Sequence, residues 1–546
     1  MTANASGARA VAPGADEQRI ARLCEEILGV ESVDVDADFF ALGGQSLKAM
    51  QLLAAINDTF ATELQFGDLV DQATPRALAR RIDSLRLAGE AEQPLLERRE
   101  REDAPFMARG QLLFWRLGNR PELATYFNLR QALLLRGALE VTALHGALQA
   151  LTDRHESLRM HFRPLPGAVP EDVELIIPAR QAVTFELLEA PAQAAAEPQE
   201  FVREQLQQEL SRPFDLRGEP LIRFRLVRFS PTLHALLVTM HHLITDAWSF
   251  NVLRRELNEL YSARLRGRSA QLPELPIRYS DFAHWNYRLH QSEPFRRQHN
   301  YWQELFASLA SEEPGRRAGA ARGEASGTGY ADLSIDERDV VRLAQRAAAH
   351  STTSYVLLQV LMHLTLYATF PQVNRMLVLS PAAERQRAEL QDSIGLHITI
   401  VGVRSEIAAD TTLRQLIAQL KRAVHEALEH QESRQFALYD VAAHQPRDFP
   451  LFVYNNFVLP NDCAWALDDL RVEPVFPRAE DPRAFVTLVE LYHARGPSGL
   501  WGQLKHDLAG FGDEAARGFV GDYRRIMQTL LSGSADDLPI AGLIGR

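Results

Sequence analysis

The chain has 546 residues, 46% of them hydrophobic and 24% charged, enough for about three or four domain-sized units with substantial cores. Lysine and arginine total 59 against 71 aspartates and glutamates, a net charge of −12, and no concentrated basic face marks a nucleic-acid partner. No segment approaches the ~18 apolar residues of a membrane span and the N-terminus lacks a signal peptide's apolar stretch, so a cytoplasmic protein with no membrane partner is expected.

Residues 1–15 are small and polar and read as a mobile lead. "EQRIARLCEEILGV" then places Ile20, Leu23, Ile27 and Leu28 on one helical face, with Cys24 as a core residue. Cys463 is the other cysteine; neither has a CxxC neighbour, so no zinc site or disulfide framework is indicated. "LKAMQLLAAI" repeats the helical spacing, and "TPRALARRIDSL" opens with Thr74 as N-cap and Pro75 in the first turn. A small all-α bundle of four helices over 16–87 is expected, followed by a charged linker over 88–106.

From "MARGQLLFW" onward strands and helices mix. "ALLLRGAL", "PLIRFRLVRF" and "LHALLVTM" are strand-like; "LEVTALHGALQALTDRH" and "FVREQLQQEL" are helical. "SEEPGRRAGAARGEASGTG" (311–329) reads as a crossover into a second mixed set containing "DVVRLAQRAAAH", "SYVLLQVLMHLTLYATF" and "RMLVLSP". This predicts a two-lobed α/β body, with lobes at 107–285 and 286–535 and a tail over 536–546.

Two short stretches carry chemistry. In "MHHLITDAW" (240–248) an apolar strand delivers His241 and His242 to its end, with Asp246 four residues after His242. A histidine fixed there can accept a proton near neutral pH. The pair can also be simple packing, and a metal site of His241, His242 and Asp246 lacks further ligands, so no metal is expected. In "ADFFALGGQSL" (37–47), Ser46 follows two glycines where a helix begins, as a plain N-cap or as a covalent attachment point.

The company of these motifs matters. "ARGQLLFW", "RHESLRMHF" (154–162), "RPFDLRGEPLIRFRL" (212–226), "YSDFAHW" (279–285) and "PAAERQRAELQDSIG" (381–395) occur in order around the histidines. Over roughly residues 105–535 they resemble the condensation domains of nonribosomal peptide synthetases, with "MHHLITDAW" similar to that family's HHxxxDG motif. The resemblance implies a fold like chloramphenicol acetyltransferase, with a tunnel between the lobes for a carrier-bound donor and an acceptor. It implies that His242 lies midway, with His241 beside it, that Asp246 pairs with Arg385 of "PAAER", and that Arg154 supports the site. Two departures from the pattern stand out: Ala247 replaces a glycine, and "GLHITI" (395–400) carries His397 and Thr399 where the family has an aromatic and an asparagine. A related epimerization domain is the poorer fit, since "PAAERQRAEL" and "GLHITI" follow the condensation pattern, although Glu384 is shared ground.

"ADFFALGGQSL" likewise resembles the carrier-protein motif DxFFxLGGxSL, which implies covalent 4′-phosphopantetheine on Ser46. The combined expectation is a carrier–condensation didomain, an acyltransferase forming an amide between a donor on Ser46 and an acceptor amine. Its partners would be a phosphopantetheinyl transferase, an upstream synthetase or loading enzyme, and an acceptor on a downstream carrier or free in solution. Ester formation, chain release onto a small acceptor and a non-catalytic carrier-docking platform are the alternatives. The chain shows no GxSxG elbow and no adenylation phosphate loop, so it is expected to be a piece of a longer synthetase or to receive its substrates in trans.

Overall fold

The computed structural model describes residues 14–88, 96–100, 107–164, 173–310, 328–431, 451–457, 466–475, 488–496, 499–507, 511–533 and 536–544, apart from positions 45, 61, 63, 65, 372, 386 and 409. The residue 1–13 lead, most of the 88–106 linker, Cys463 and the 311–327 part of the crossover lie outside the described residues.

Helices α1 (Ala15–Leu28), α2 (Ser46–Phe60), α3 (Phe66–Asp71) and α4 (Pro75–Ala88) form the N-terminal unit. Gly29 ends α1 in the left-handed region at φ 73°, a position that suits a residue without Cβ. Ile20, Cys24, Phe39, Leu52, Leu53, Ile56, Leu78 and Ile82 meet in one apolar core. Burial pushes the Cys24 thiol up to about 12, making it an inert packing residue.

The first lobe contains α5 (Arg109–Gly118), β1 (Asn128–Arg136), α6 (Val141–Arg154), the hairpin of β2 (His161–Pro164) and β3 (Val173–Ile176), β4 (Phe185–Glu189) and α7 (Pro198–Leu210). It continues with β5 (Ile222–Ser230), β6 (Leu233–His241), α8 (Ser249–Leu265) and α9 (Tyr279–Leu289), before α10 (Glu293–Ala310) leads away.

The second lobe contains β7 (Thr328–Asp332), β8 (Ile335–Asp336), α11 (Glu337–Ala349), α12 (Ser354–Thr369), β9 (Arg375–Ala383), β10 (Ile398–Glu406) and α13 (Leu413–Glu429). Strands β11 (Leu451–Phe457), β12 (Arg471–Pro474), β13 (Leu488–Gly496) and β14 (Gly499–Asp507) follow, then α14 (Asp513–Ser532) and α15 (Ile540–Leu543). Among the described residues no helix is long and apolar enough to cross a membrane.

Two sheets organise the body. The first runs β12-β1-β6-β5-β4; the second runs β10-β9-β11-β13-β14-β7, with β8 beside β14. Strand β6 is central and buried on both faces, which explains its continuous apolar run. Strand β12 leaves the second half of the sequence to pair antiparallel with β1, so the first lobe is not one continuous stretch of chain. A single short strand of ordinary composition gives no sequence signal of which sheet it joins. Helix α12 is buried nearly all round and forms the spine of the second lobe's core.

Past residue 535, Ile540 and Ile544 are part of that core. Ile540 and Ile544 are buried, Ile540 N–H donates to the Thr411 carbonyl at 2.8 Å, and Arg414 pairs with Asp537 at 2.8 Å.

Candidate active site

Strand β6 presses its last residues against β1, with His241 opposite Asn128, and the chain then turns tightly through residues 242–244. The His242 N–H donates to the Phe127 carbonyl at 2.8 Å, fixing the backbone at that turn. Gln111 on α5 is fully buried; its amide donates to the Leu243 carbonyl at 2.8 Å and its oxygen accepts from the Ala108 N–H at 3.0 Å. The same helix lays the Phe114 ring over His242, with centroids 4.6 Å apart and planes 30° apart.

The two histidines differ sharply. His241 is fully buried among Phe127 and Phe214, and its Nδ1 accepts from the Leu243 N–H at 3.1 Å. Burial and the neighbouring His242 push it down to about 3, so it stays neutral. His242 is only partly buried, and its Nδ1 lies 2.8 Å from the Thr245 carbonyl. A carbonyl can only accept, so Nδ1 carries the proton and neutral His242 keeps a lone pair on Nε2. Among the described residues nothing bonds that Nε2. Burial holds His242 below the ordinary imidazole range, while Asp246 and the Thr245 carbonyl pull the other way.

Asp246 ties the lobes together. Its Oδ1 accepts from the Ser249 N–H at 2.7 Å and the Ser249 hydroxyl at 2.6 Å, and its Oδ2 accepts from the His397 N–H at 3.1 Å. Arg385, wholly buried at the end of β9, reaches both carboxylate oxygens at 3.1 Å. Its other nitrogen donates to the carbonyls of Leu390 and Ser393. Ser249 accepts from the Gly395 N–H at 3.1 Å and lies 3.0 Å from the Gly395 carbonyl.

The 388–397 loop of the second lobe is thereby latched into the first lobe. Leu390, Ile394 and Leu396 enter the first lobe's core, and Ser157, Trp248 and Tyr279 donate to the carbonyls of Ile394, Gln391 and Leu396.

Ala247 does not have positive φ, so its methyl group sits at this turn without left-handed strain. His397 is buried 4.4 Å from the Phe282 ring and 3.0 Å from the Ser393 hydroxyl, and burial holds it well below the ordinary range. Thr399 is buried in β10 opposite Ala382. Arg154 stands apart from these contacts: with His155 it holds the buried Glu256 carboxylate, at 3.0 and 2.8 Å, and it donates to the Pro273 carbonyl.

Gln111, Phe114 and Ser249 are neighbours whose individual roles sequence reasoning did not single out. Gln111 and Phe114 lie within "ARGQLLFW", quoted above only as a motif, and Ser249 follows three residues after an aspartate at a helix start, where it can share its capping bonds.

In the N-terminal unit Ser46 is the first residue of α2. The preceding loop is pinned by Asp38, whose Oδ1 accepts from the Phe40 and Ala41 N–H groups at 2.8 and 3.0 Å. Gly43 has φ 96°, and a Cβ on Gly44 would lie 2.3 Å from the Phe39 ring. Phe39 and Phe40 belong to the small core; the side chains of Ser46, Leu47 and Met50 lie outside the described residues.

Residues 111–459 match the model of the condensation domain, and residues 18–82 that of the phosphopantetheine attachment site. Tyrocidine synthase 2 of Brevibacillus parabrevis is 32% identical over 479 residues, 86% of this chain and 13% of the synthase. Tyrocidine synthase 3 of the same organism is 29% identical over 427 residues, 76% of this chain and 6% of its own length. The chain thus spans only a small part of the length of these relatives.

Among solved structures, the X-domain from teicoplanin biosynthesis shares the fold at TM-score 0.65 and 23% identity, over 82% of this chain and 99% of its own. The NRPS condensation enzyme VibH does so at TM-score 0.61 and 17% identity, over 80% and 100%. The chain belongs to the condensation-domain family, with a phosphopantetheine attachment unit preceding the condensation domain in the same polypeptide.

Proposed function

We propose that this chain forms an amide bond in nonribosomal peptide synthesis, with an acyl donor held on Ser46 and an amine acceptor meeting it at His242. The observation that carries the reading is the His242 geometry: one ring nitrogen is committed to the Thr245 carbonyl, and the other is left as an acceptor in a partly open position. We assign the carrier unit to residues 16–87 and the two-lobed body to residues 107–544, the second lobe's core taking in Ile540 and Ile544, with β12 contributed across the lobes.

The residues around Ser46 fit the prosthetic group implied by the attachment site. A helix N-terminus offers free N–H groups and a favourable dipole to a phosphodiester, and two glycines precede it without side chains. When bound there, 4′-phosphopantetheine supplies the thiol that carries the acyl donor.

The chain's own contribution is then orientation and proton handling. An acylated sulfur is already a good leaving group, so holding the amine in line contributes most of the rate. His242 Nε2 accepts a hydrogen bond from the attacking N–H and relieves the positive charge that grows on nitrogen. With the donor so carried, the acyl group would pass to the acceptor nitrogen, and His242 would pass the proton lost by the amine on to the departing thiol. His241 acts as packing behind His242, Asp246 and Arg385 hold the turn and the latch, and Arg154 braces α6 against α8.

A phosphopantetheinyl transferase, a supplier of the donor and a carrier-bound or free acceptor complete the system, which we place in the cytoplasm where coenzyme A is available. The test is to load Ser46 by transferase with acyl coenzyme A and follow product with a panel of amines and alcohols. Amide product that His242→Ala loses, with loading intact, supports the reading. Ester product from alcohols alone, or turnover unchanged in His242→Ala, overturns it.

A further inference from the structure

Among the described residues the carrier unit approaches the body along α2 and α3. Facing α2, a cleft of about 950 Å³ is left between Lys48, Gln51 and Ala55 on one side and Trp248, Arg255 and Asp392 on the other. At α3 there is no such gap. Gly67, the second residue of α3, lies under the imidazole of His425 on α13; a Cβ built on Gly67 would fall 1.5 Å from His425 Cε1 and 2.0 Å from Nδ1. No side chain fits there unless the ring moves.

Two further features of α13 continue the match, on the same helical face as His425. Leu428 packs against the carrier core as well as against two clusters of the second lobe. Glu429 accepts from His425 at 3.2 Å; Arg81 of the carrier, itself paired with Asp68 at 2.6 Å, adds only a smaller positive influence after those of His425 and His430. The carrier thus presents a glycine under the ring, and α13 offers that ring beside an apolar side chain and an anion.

We propose that Gly67 is a recognition residue by which the second lobe, through His425, Leu428 and Glu429, selects and seats its own carrier unit, so that only a carrier with no side chain at this point of α3 docks flush on α13. This deepens the proposed function and rests on the reading that the Ser46 carrier supplies the donor. The α3–α13 contact is the closed one, while α2 borders the open cleft and meets the body around residues 388–390.

The test uses the full chain with 4′-phosphopantetheine attached. Hydrogen–deuterium exchange over residues 413–429 reads the contact, mass gain from coenzyme A and transferase reads the integrity of the carrier, and product is compared for an acyl donor on Ser46 and the same acyl group supplied free as its N-acetylcysteamine thioester. Gly67→Leu is expected to raise exchange in α13 and to slow the tethered reaction tenfold or more, leaving the free-thioester reaction within twofold. The pair Gly67→Ala and His425→Ala should restore protection that Gly67→Ala alone loses, because removing the ring vacates the space.

His425→Trp, which leaves the carrier sequence untouched, should reproduce the loss with normal mass gain, and it decides the matter if Gly67→Leu impairs loading. Unchanged α13 exchange in His425→Trp, or equal loss of the tethered and free reactions, overturns the proposal. If the unaltered chain makes no amide from either donor, the amide-forming reading fails, and the exchange data still decide the docking.

Discussion

The carrier unit presents Ser46 as the first residue of α2, behind a loop braced by Asp38 and two glycines, so its surroundings are built from about ten consecutive residues. The body holds His242 at the end of a strand buried along its length, and what fixes it comes from α5, from the Thr245 carbonyl and, through Asp246, from a loop about 150 residues downstream. The difference separates two design problems. An attachment point needs access and a local dipole, while the base proposed at His242 needs one tautomer in one orientation, and that requires groups from several elements.

Breaking the carrier end has the largest expected effect. Ser46→Ala should abolish the mass gain from coenzyme A and all turnover from a tethered donor, while thermal unfolding of the body stays unchanged, as intact-mass and melting measurements would show. At the other end, His242→Ala should keep loading and fold but cut product formation by ~10²–10⁴-fold, the usual worth of a positioned acid–base group.

The latch between the lobes comes next. Asp246→Ala leaves the guanidinium of Arg385 buried without its carboxylate and should cost about 3–5 kcal/mol in denaturant unfolding, with activity falling alongside. Arg154→Ala should lower stability less, because His155 still bonds Glu256, and should leave turnover of the folded enzyme within a fewfold. A stability loss from Arg154→Ala equal to that from Asp246→Ala would blur the distinction between the latch and the brace.

A pH profile sharpens the same comparison. His242 is held below the free imidazole value of about 6.5. Its neutral, accepting form therefore persists to lower pH than a free histidine's, and rate is lost only as pH falls through the depressed value. With a donor already on Ser46 and an acceptor amine of low basicity, the acid limb should lie below about 6.5. A limb at or above that value would mean that His242 is not the titrating group.

Legibility in the sequence follows the same divide. The strand "LHALLVTM", the helices around Ser46 and the helical runs of α11 and α12 follow from periodicity, because each is set by residues close in sequence. The pairing of β12 with β1 and the burial of Ile540 and Ile544 are not legible there, since each depends on a surface assembled from distant segments. The residues placed at the site emerge through motif company; Gln111 and Phe114 lie in one of those motifs, "ARGQLLFW", but their roles, a buried amide and a ring stack, depend on the distant 241–245 turn and are not legible from the motif itself.

The most direct measurement is single-turnover product formation from a chain acylated on its carrier, comparing His242→Ala with the unaltered protein under saturating amine. A tethered acyl group that persists in the variant while the unaltered chain converts it to amide is the predicted result. Equal rates of amide formation in the two proteins would contradict the account.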